Sequence, residues 1–346
     1  MKILVDINHP SQVHLFKHAI RRLQARNHSV LIIARDKDVT LQLLEEYGFE
    51  YVPGTVRRPG LFNLLYELFS KTLLIWRESK KFDPDVFISL GSPPAAWAAF
   101  LRGKPHLAFT DTEHSVEQLV LYKPFSMRIY TPDCFLLDLG VKQRRYAGYH
   151  ELAYLHPSQF TPSFEVIREF GLSEEVPFFV VRFVSFSATH DIRQTGLSLE
   201  EKDDLLKLLQ SYGQVVVSSE AAKGMTVLGF STQIPPSKMH HLLAYAALFI
   251  GEGTTMATEA ALLGIPAITL TPHEGGNRLE LENKYGLVRG IRDPHRLKAE
   301  VIKLLQDKDL KRHWQEKRAK LLSEKIDVTE FIVSQIEGFE NDKGAS

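Results

Sequence analysis

The chain has 346 residues, 44 % apolar and 24 % charged, a soluble globular composition large enough for about two domains. Lys plus Arg and Asp plus Glu number 42 each, so net charge gives no case for nucleic acid as a partner. One cysteine, Cys134, excludes an internal disulfide and fits a reducing cytosol, and no run of about 18 uncharged apolar residues offers a membrane span.

In chain order, MKILVDINHP is a short apolar run broken by Asp6 and reads as a buried first strand rather than a signal peptide. Further strands are predicted at 29–34, 51–52, 86–90, 106–109 and 127–131, then at 178–183, 215–218, 248–250 and 267–270. Helical periodicity marks 13–26, 39–47, 61–81, 199–211, 238–246, 256–263 and 296–306, with a charged helical stretch at 310–339. Strands alternating with helices predict an α/β protein with doubly wound parallel sheets.

The pattern restarts near residue 176, after a Pro-, His- and Ser-containing stretch with a short helix at 164–170. The expected organisation is an N-terminal Rossmann-like domain at 1–160, a linker at 161–176, a second Rossmann-like domain at 177–310, and C-terminal helices and tail at 311–346. Ligands of such folds lie at the carboxyl ends of the strands, which places the expected site in an interdomain cleft.

Residues 248–270, LFIGEGTTMATEAALLGIPAITL, are the most informative stretch. An apolar strand runs into a Gly- and Thr-bearing turn that opens a helix of small residues. The backbone N–H groups of Gly253, Thr254 and Thr255 then stand at a helix N-terminus, where the helix dipole favours phosphate. Glu259, one turn on, is placed to accept hydrogen bonds from a ribose. A nucleoside diphosphate suits both features.

This stretch, extended through residue 288, resembles the donor-binding region of the GT-B superfamily of nucleotide-sugar enzymes. It is similar to the UDP-N-acetylglucosamine 2-epimerases and to the N-acetylglucosaminyltransferases that act on lipid-linked peptidoglycan precursor. The opening MKILVDINHPSQVHLFKHAI with the later ARDKD resembles an uncharacterised bacterial and archaeal family assigned to the same fold. The resemblance implies a GT-B fold whose first domain takes an acceptor and whose second binds the nucleotide sugar. It also implies that Gly253, Thr254 and Thr255 hold diphosphate while Glu259 binds ribose. The chain departs from both enzyme groups after strand one. It has Ile7-Asn8-His9-Pro10 where the epimerases carry a Gly-Thr-Arg-Pro-Glu turn and the transferases a Gly-Gly-His turn.

Three loops are candidates for the chemistry. After strand one, His9 is a candidate general base, since histidine titrates near physiological pH; capping of the following helix is the competing account. After 178–183, Arg182 is placed to neutralise a departing diphosphate, Ser187 to approach phosphate or sugar, and His190 to act with Asp191 as its orienter. After 267–270, Asn277 and Arg278 are candidates for the donor sugar or phosphate. Asp111 and Glu113, following 106–109, are rival bases on the acceptor side. Asp36-Lys37-Asp38 is expected as a solvated loop in which Asp38 or Thr40 caps the next helix. Cys134 stands alone without zinc-ligand spacing, so no metal is expected.

Residues 56–82 carry an apolar stripe of Leu61, Leu64, Leu65, Leu68, Phe69, Thr72, Leu73 and Trp76. Arg57, Arg58, Lys71, Arg77, Lys80 and Lys81 flank it. Such a helix suits an anionic membrane surface, or alternatively a core position with charged ends.

The sequence therefore leads to a metal-independent glycosyltransferase with a nucleotide-sugar donor, expected to be UDP-linked, and no separate cofactor. Its acceptor is carbohydrate or lipid-linked, as in cell-envelope polysaccharide. Its expected location is the cytoplasm, with peripheral contact at the inner membrane face. The alternatives are an epimerase or hydrolase acting on UDP-N-acetylglucosamine and a non-catalytic sugar-nucleotide-binding protein. A dehydrogenase is disfavoured because no Gly-x-Gly-x-x-Gly follows strand one.

Overall fold

The computed structural model describes residues 1–54, 61–173, 175–183, 197–219, 225–227, 233–271, 274–291 and 293–339. The chain forms two compact units, Met1–Gln159 with Lys325–Ser346, and Phe160–Glu324.

The first unit is built on β1 (Lys2–Ile7), β2 (Ser29–Ala34), β3 (Val52–Pro53), β4 (Val86–Leu90), β5 (His106–Phe109), β6 (Arg128–Pro132) and β7 (Gln143–Tyr146). All neighbours are parallel in the order β3-β2-β1-β4-β5-β6-β7. Its helices are α1 (Pro10–Ala25), α2 (Thr40–Glu46), α3 (Leu61–Phe82), α4 (Pro93–Leu101), α5 (Val116–Tyr122) and α6 (Leu152–Leu155). Helices on both faces cover most of the central strands. Ile3, Leu4, Val5 and Ile7 of β1 are all enclosed, and each such side chain contributes roughly 1.5–3 kcal/mol.

The second unit begins with α7 (Phe164–Arg168), β8 (Phe178–Phe183), α8 (Leu199–Gln210), β9 (Gln214–Ser219), β10 (Met225–Val227), β11 (Gln233–Ile234) and α9 (Met239–Leu243). It continues through β12 (Leu248–Gly251), α10 (Thr255–Leu262), β13 (Ala267–Thr269), α11 (Gly276–Asn283), β14 (Val288–Gly290), α12 (Leu297–Gln306) and α13 (Leu310–Glu324). The strand order is β11-β10-β9-β8-β12-β13-β14; β9, β8, β12, β13 and β14 are parallel, and β10 and β11 are antiparallel additions at one edge.

The division differs from the expected one at two places. The predicted linker is not a separate segment: α7 packs on α9 within the second unit. The C-terminal stretch divides at Lys325, and α14 (Val328–Gly338) returns to the first unit against α1 and α6. Arg22 pairs with Glu330, Arg26 with Glu337 at 2.7 Å, and Phe331 packs edge-on to Tyr130. Asp327 caps α14 by accepting from the N–H groups of Thr329 and Glu330. The expected cap of α2 is corrected: Val39 holds that position with no side-chain bond, and Thr40 donates to the Lys37 carbonyl instead.

His106 on β5 is wholly enclosed between the Ser89 and Ser126 hydroxyls, at 2.9 Å from each. Burial pushes its pKa down to about 3, against a weaker upward pull from the Asp6 carboxylate. The unfolded chain takes up this proton near the ordinary histidine value and the folded chain does not. Stability therefore falls as pH drops from about 6.5 towards about 3, by up to about 1.4 kcal/mol per pH unit for this group. Burial and the neighbouring Lys17, Arg21 and Arg22 charges lower His18 to about 4, adding a slope of the same sign. Urea midpoints measured from about pH 7 to about pH 5 should decline, and His106→Asn should remove its share of that slope.

Candidate functional site

In each unit the strand order reverses beside the first strand, between β1 and β4 and between β8 and β12. At such a switch point the loops after the two strands depart to opposite sides and leave room for a ligand.

At the second switch point, Gly251 is the register partner of Arg182. The Arg182 guanidinium lies 3.5 Å from the Met256 sulfur in the first turn of α10 and 3.4 Å from the Ser218 hydroxyl. Among the described residues it has no carboxylate partner. Gly253 would carry a Cβ into open space, and the N–H groups of Gly253, Thr254 and Thr255 donate to no described group. Thr254 occupies the N-cap position without a side-chain cap bond. A cation, open amides and a helix terminus therefore converge, a combination that attracts an anion with several oxygens.

The neighbouring charges are already matched. Glu252 accepts from the Leu197 N–H at 3.1 Å and lies 3.4 Å from the Lys202 ammonium. Glu259, the expected ribose ligand, is buried on α10 with Oε1 3.1 Å from His240 Nε2 on α9. Arg278 is buried between Glu274 at 3.8 Å and Glu282 at 3.2 Å, whereas Asn277 is half-buried in the first turn of α11. Ser187, His190 and Asp191 lie outside the described residues.

At the first switch point, Asp6 is fully buried at the end of β1 and pairs with Lys71 of α3 at 2.7 Å. It also accepts from Asn8 Nδ2 at 3.0 Å and from the Ser92 hydroxyl at 2.5 Å, and Lys71 donates to Asn8 Oδ1. Lys71 is thus not on an outward basic rim, as the helical stripe suggested; its ammonium compensates a buried carboxylate. Asp6 was visible in the sequence as a charge inside an apolar run, where only a paired carboxylate is tolerated. Ser92 caps α4 and Gly91, at φ +55°, makes the turn before it.

His9 caps α1: its Nδ1 accepts from the Ser11 N–H at 3.3 Å, while Nε2 faces Asp38 at 3.9 Å. That use of Nδ1 ties up its lone pair. Glu113 Oε1 accepts from the Leu136 N–H at 3.3 Å and so holds the loop after β6. Asp111, after β5, lies 3.2 Å from Nδ1 of His150, which follows β7. Burial works to raise the Asp111 carboxyl, but the His150 charge and hydrogen bonds from His150 and Thr112 outweigh it and hold it below the ordinary carboxylate value. Nε2 of His150 is buried and has no hydrogen-bond partner among the described residues, and its ring stacks on Tyr146. His150 is not legible in the sequence, since no spacing links it to Asp111.

A family model described as "Protein of unknown function (DUF354)" matches residues 1–326. The chain belongs to the DUF354 family. No curated protein matches its sequence. Among solved structures it is similar to the UDP-GlcNAc 2-epimerase from Neisseria meningitidis bound to UDP-GlcNAc, at 14 % identity and a TM-score of 0.70, covering 97 % of this chain and 99 % of that one. It is similar to S. aureus MnaA in complex with UDP, at 13 % identity and a TM-score of 0.70, covering 99 % and 97 %. It is also similar to the glycosyltransferase VinC in complex with DTDP, at 12 % identity and a TM-score of 0.63, covering 99 % and 100 %. This DUF354 chain has the GT-B fold expected from its sequence.

Replacing Lys71 with Met leaves the Asp6 carboxylate buried without its cation, at a cost of about 3–5 kcal/mol. Urea denaturation of Lys71→Met beside the parent chain measures it.

Proposed function

We propose that this DUF354 protein is a nucleotide-sugar-dependent glycosyltransferase with a UDP-linked donor. The observation that carries the reading is Arg182, uncompensated among the described residues, beside the open Gly253–Thr255 turn at the N-terminus of α10. The known ligands of the structural relatives, UDP, UDP-GlcNAc and DTDP, support it. In this mechanism the turn and Arg182 bind the diphosphate, Glu259 with His240 faces the ribose, and Asn277 contacts the sugar.

When the sugar–phosphate C–O bond breaks, its electron pair stays on the diphosphate. Preorganised donors at that point stabilise the developing charge. The acceptor oxygen bonds the sugar carbon and its proton passes to Asp111, the more exposed member of the pair, whose carboxylate is oriented by His150 Nδ1 at 3.2 Å. Neither role requires a metal. The acceptor is a carbohydrate, free or lipid-linked.

A second reading is an epimerase or hydrolase of UDP-N-acetylglucosamine, supported by the likeness to the UDP-GlcNAc 2-epimerase bound to UDP-GlcNAc. Incubation with UDP-N-acetylglucosamine alone separates the two, since UDP release or epimer formation without acceptor belongs to the second. Tight nucleotide binding with no turnover of any donor would instead leave a binding protein.

Thermal-shift screening across UDP, GDP, CDP and dTDP sugars should give its largest rise with a UDP sugar, because a ligand bound only by the folded state raises Tm. Gly253→Ala should change stability by less than about 0.5 kcal/mol and yet weaken UDP, since its methyl enters the space the phosphate needs. Arg182→Lys loses bidentate contact and should weaken UDP about tenfold. His150→Ala and Asp111→Asn should leave UDP binding intact and lower kcat by about 10²–10⁴.

A further inference from the structure

The inner face of α3 is buried with its charges paired, and its outer face is exposed. Glu67 meets Arg35 at 2.6 Å, Lys71 meets Asp6, and Ile75 is fully buried one turn further on. The opposite face exposes Tyr66 at 72 %, Phe69 at 65 % and Leu73 at 42 %, and then passes to exposed Arg77 and Lys80. A helix needing only core contacts has no reason to place aromatic rings outward at this spacing.

The surface continues onto two further helices that the sequence stripe did not include. Phe69 lies 6.2 Å from the Trp97 ring of α4, and Trp97 Nε1 donates to the Leu121 carbonyl of α5 at 2.9 Å. Phe100 is 63 % exposed and meets Phe125 ring to ring at 5.2 Å, while Val120 on α5 is 65 % exposed. Cations border it. Lys80 Nζ sits 3.7 Å over the Trp76 ring, and Lys142 Nζ donates to the carbonyls of Lys123 and Pro124 beside Phe125.

We propose that the α3–α4–α5 face docks on an anionic lipid bilayer. Aromatic rings suit the interfacial region, and the long Lys and Arg stems let their charges reach headgroup phosphates while the stems stay against apolar surface. The bordering cations favour lipid over a second copy of the same face, because self-pairing brings like charges together. No helix among the described residues is long and apolar enough to cross a membrane, so the contact is peripheral. The inference goes beyond the donor reading and is independent of it, since bilayer binding needs no nucleotide.

The test is co-sedimentation of the full chain with vesicles of phosphatidylcholine containing phosphatidylglycerol, and with phosphatidylcholine alone. The protein should pellet with the anionic vesicles, less with the neutral ones, and less at high salt. Tyr66→Ser/Phe69→Ser/Phe100→Ser and Arg77→Glu/Lys80→Glu alter exposed residues, so unchanged Tm identifies folded variants. Each should lower partitioning about tenfold or more. Failure to pellet overturns the proposal, as do equal binding to both vesicle types and variants that bind like the parent chain. A concentration-dependent dimer that the aromatic variant abolishes, with no vesicle binding, assigns the face to self-association and overturns it as well.

Discussion

The backbone hydrogen bonds between β8 and β12 are the constraint on which the candidate donor site depends. Parallel pairing sets Gly251 opposite Arg182 and ends both strands at one level. From there β8 leads towards β9 on one side and β12 towards β13 on the other. The helix that follows β12 begins beside the arginine because the turn between them is short and glycine-bearing. A slip by one residue in that ladder would send the guanidinium to the other face of the sheet.

Charge matching then distinguishes structural groups from candidate ligand groups. Asp6 with Lys71, Glu252 with Lys202, and Arg278 between two glutamates are satisfied within the folded chain. Each pairing offsets part of the desolvation cost that an isolated buried charge would carry. Arg182 rests on a thioether and a hydroxyl instead, neither of which neutralises it. Asp111 and His150 form a different kind of pair. The imidazole orients the carboxylate, and the carboxylate fixes which imidazole nitrogen holds the proton.

What was legible in the sequence follows from local physics. Buried parallel strands such as β1, β4 and β12 need unbroken apolar runs, and those runs can be read directly. The Gly-Thr turn before α10 is equally local. β7, with the sequence QRRY, has no such run: it is an edge strand in which Arg145 bonds the carbonyls of Asp133, Phe135 and Leu137. Periodicity gave α3 its two faces but not the identity of the inner one, because the Lys71 partner lies on β1, far away in the chain. His150 was hidden for the same reason, and the role of His9 as a cap rested on a two-residue contact that competes with any role as a base.

The return of α14 to the first unit bears on how the protein is made. Ribosomes add roughly 5–20 residues per second, so about 10 to 40 seconds pass between completion of the first sheet and emergence of this helix. Throughout that interval Arg22, Arg26 and the Tyr130 ring lack the partners they later find on α14. The second unit lies wholly between the two portions of the first and has all of its strands before the earlier unit is finished. The nascent first unit therefore presents an unfinished, partly apolar flank during translation, until Val328, Ile332, Val333 and Ile336 arrive to cover it.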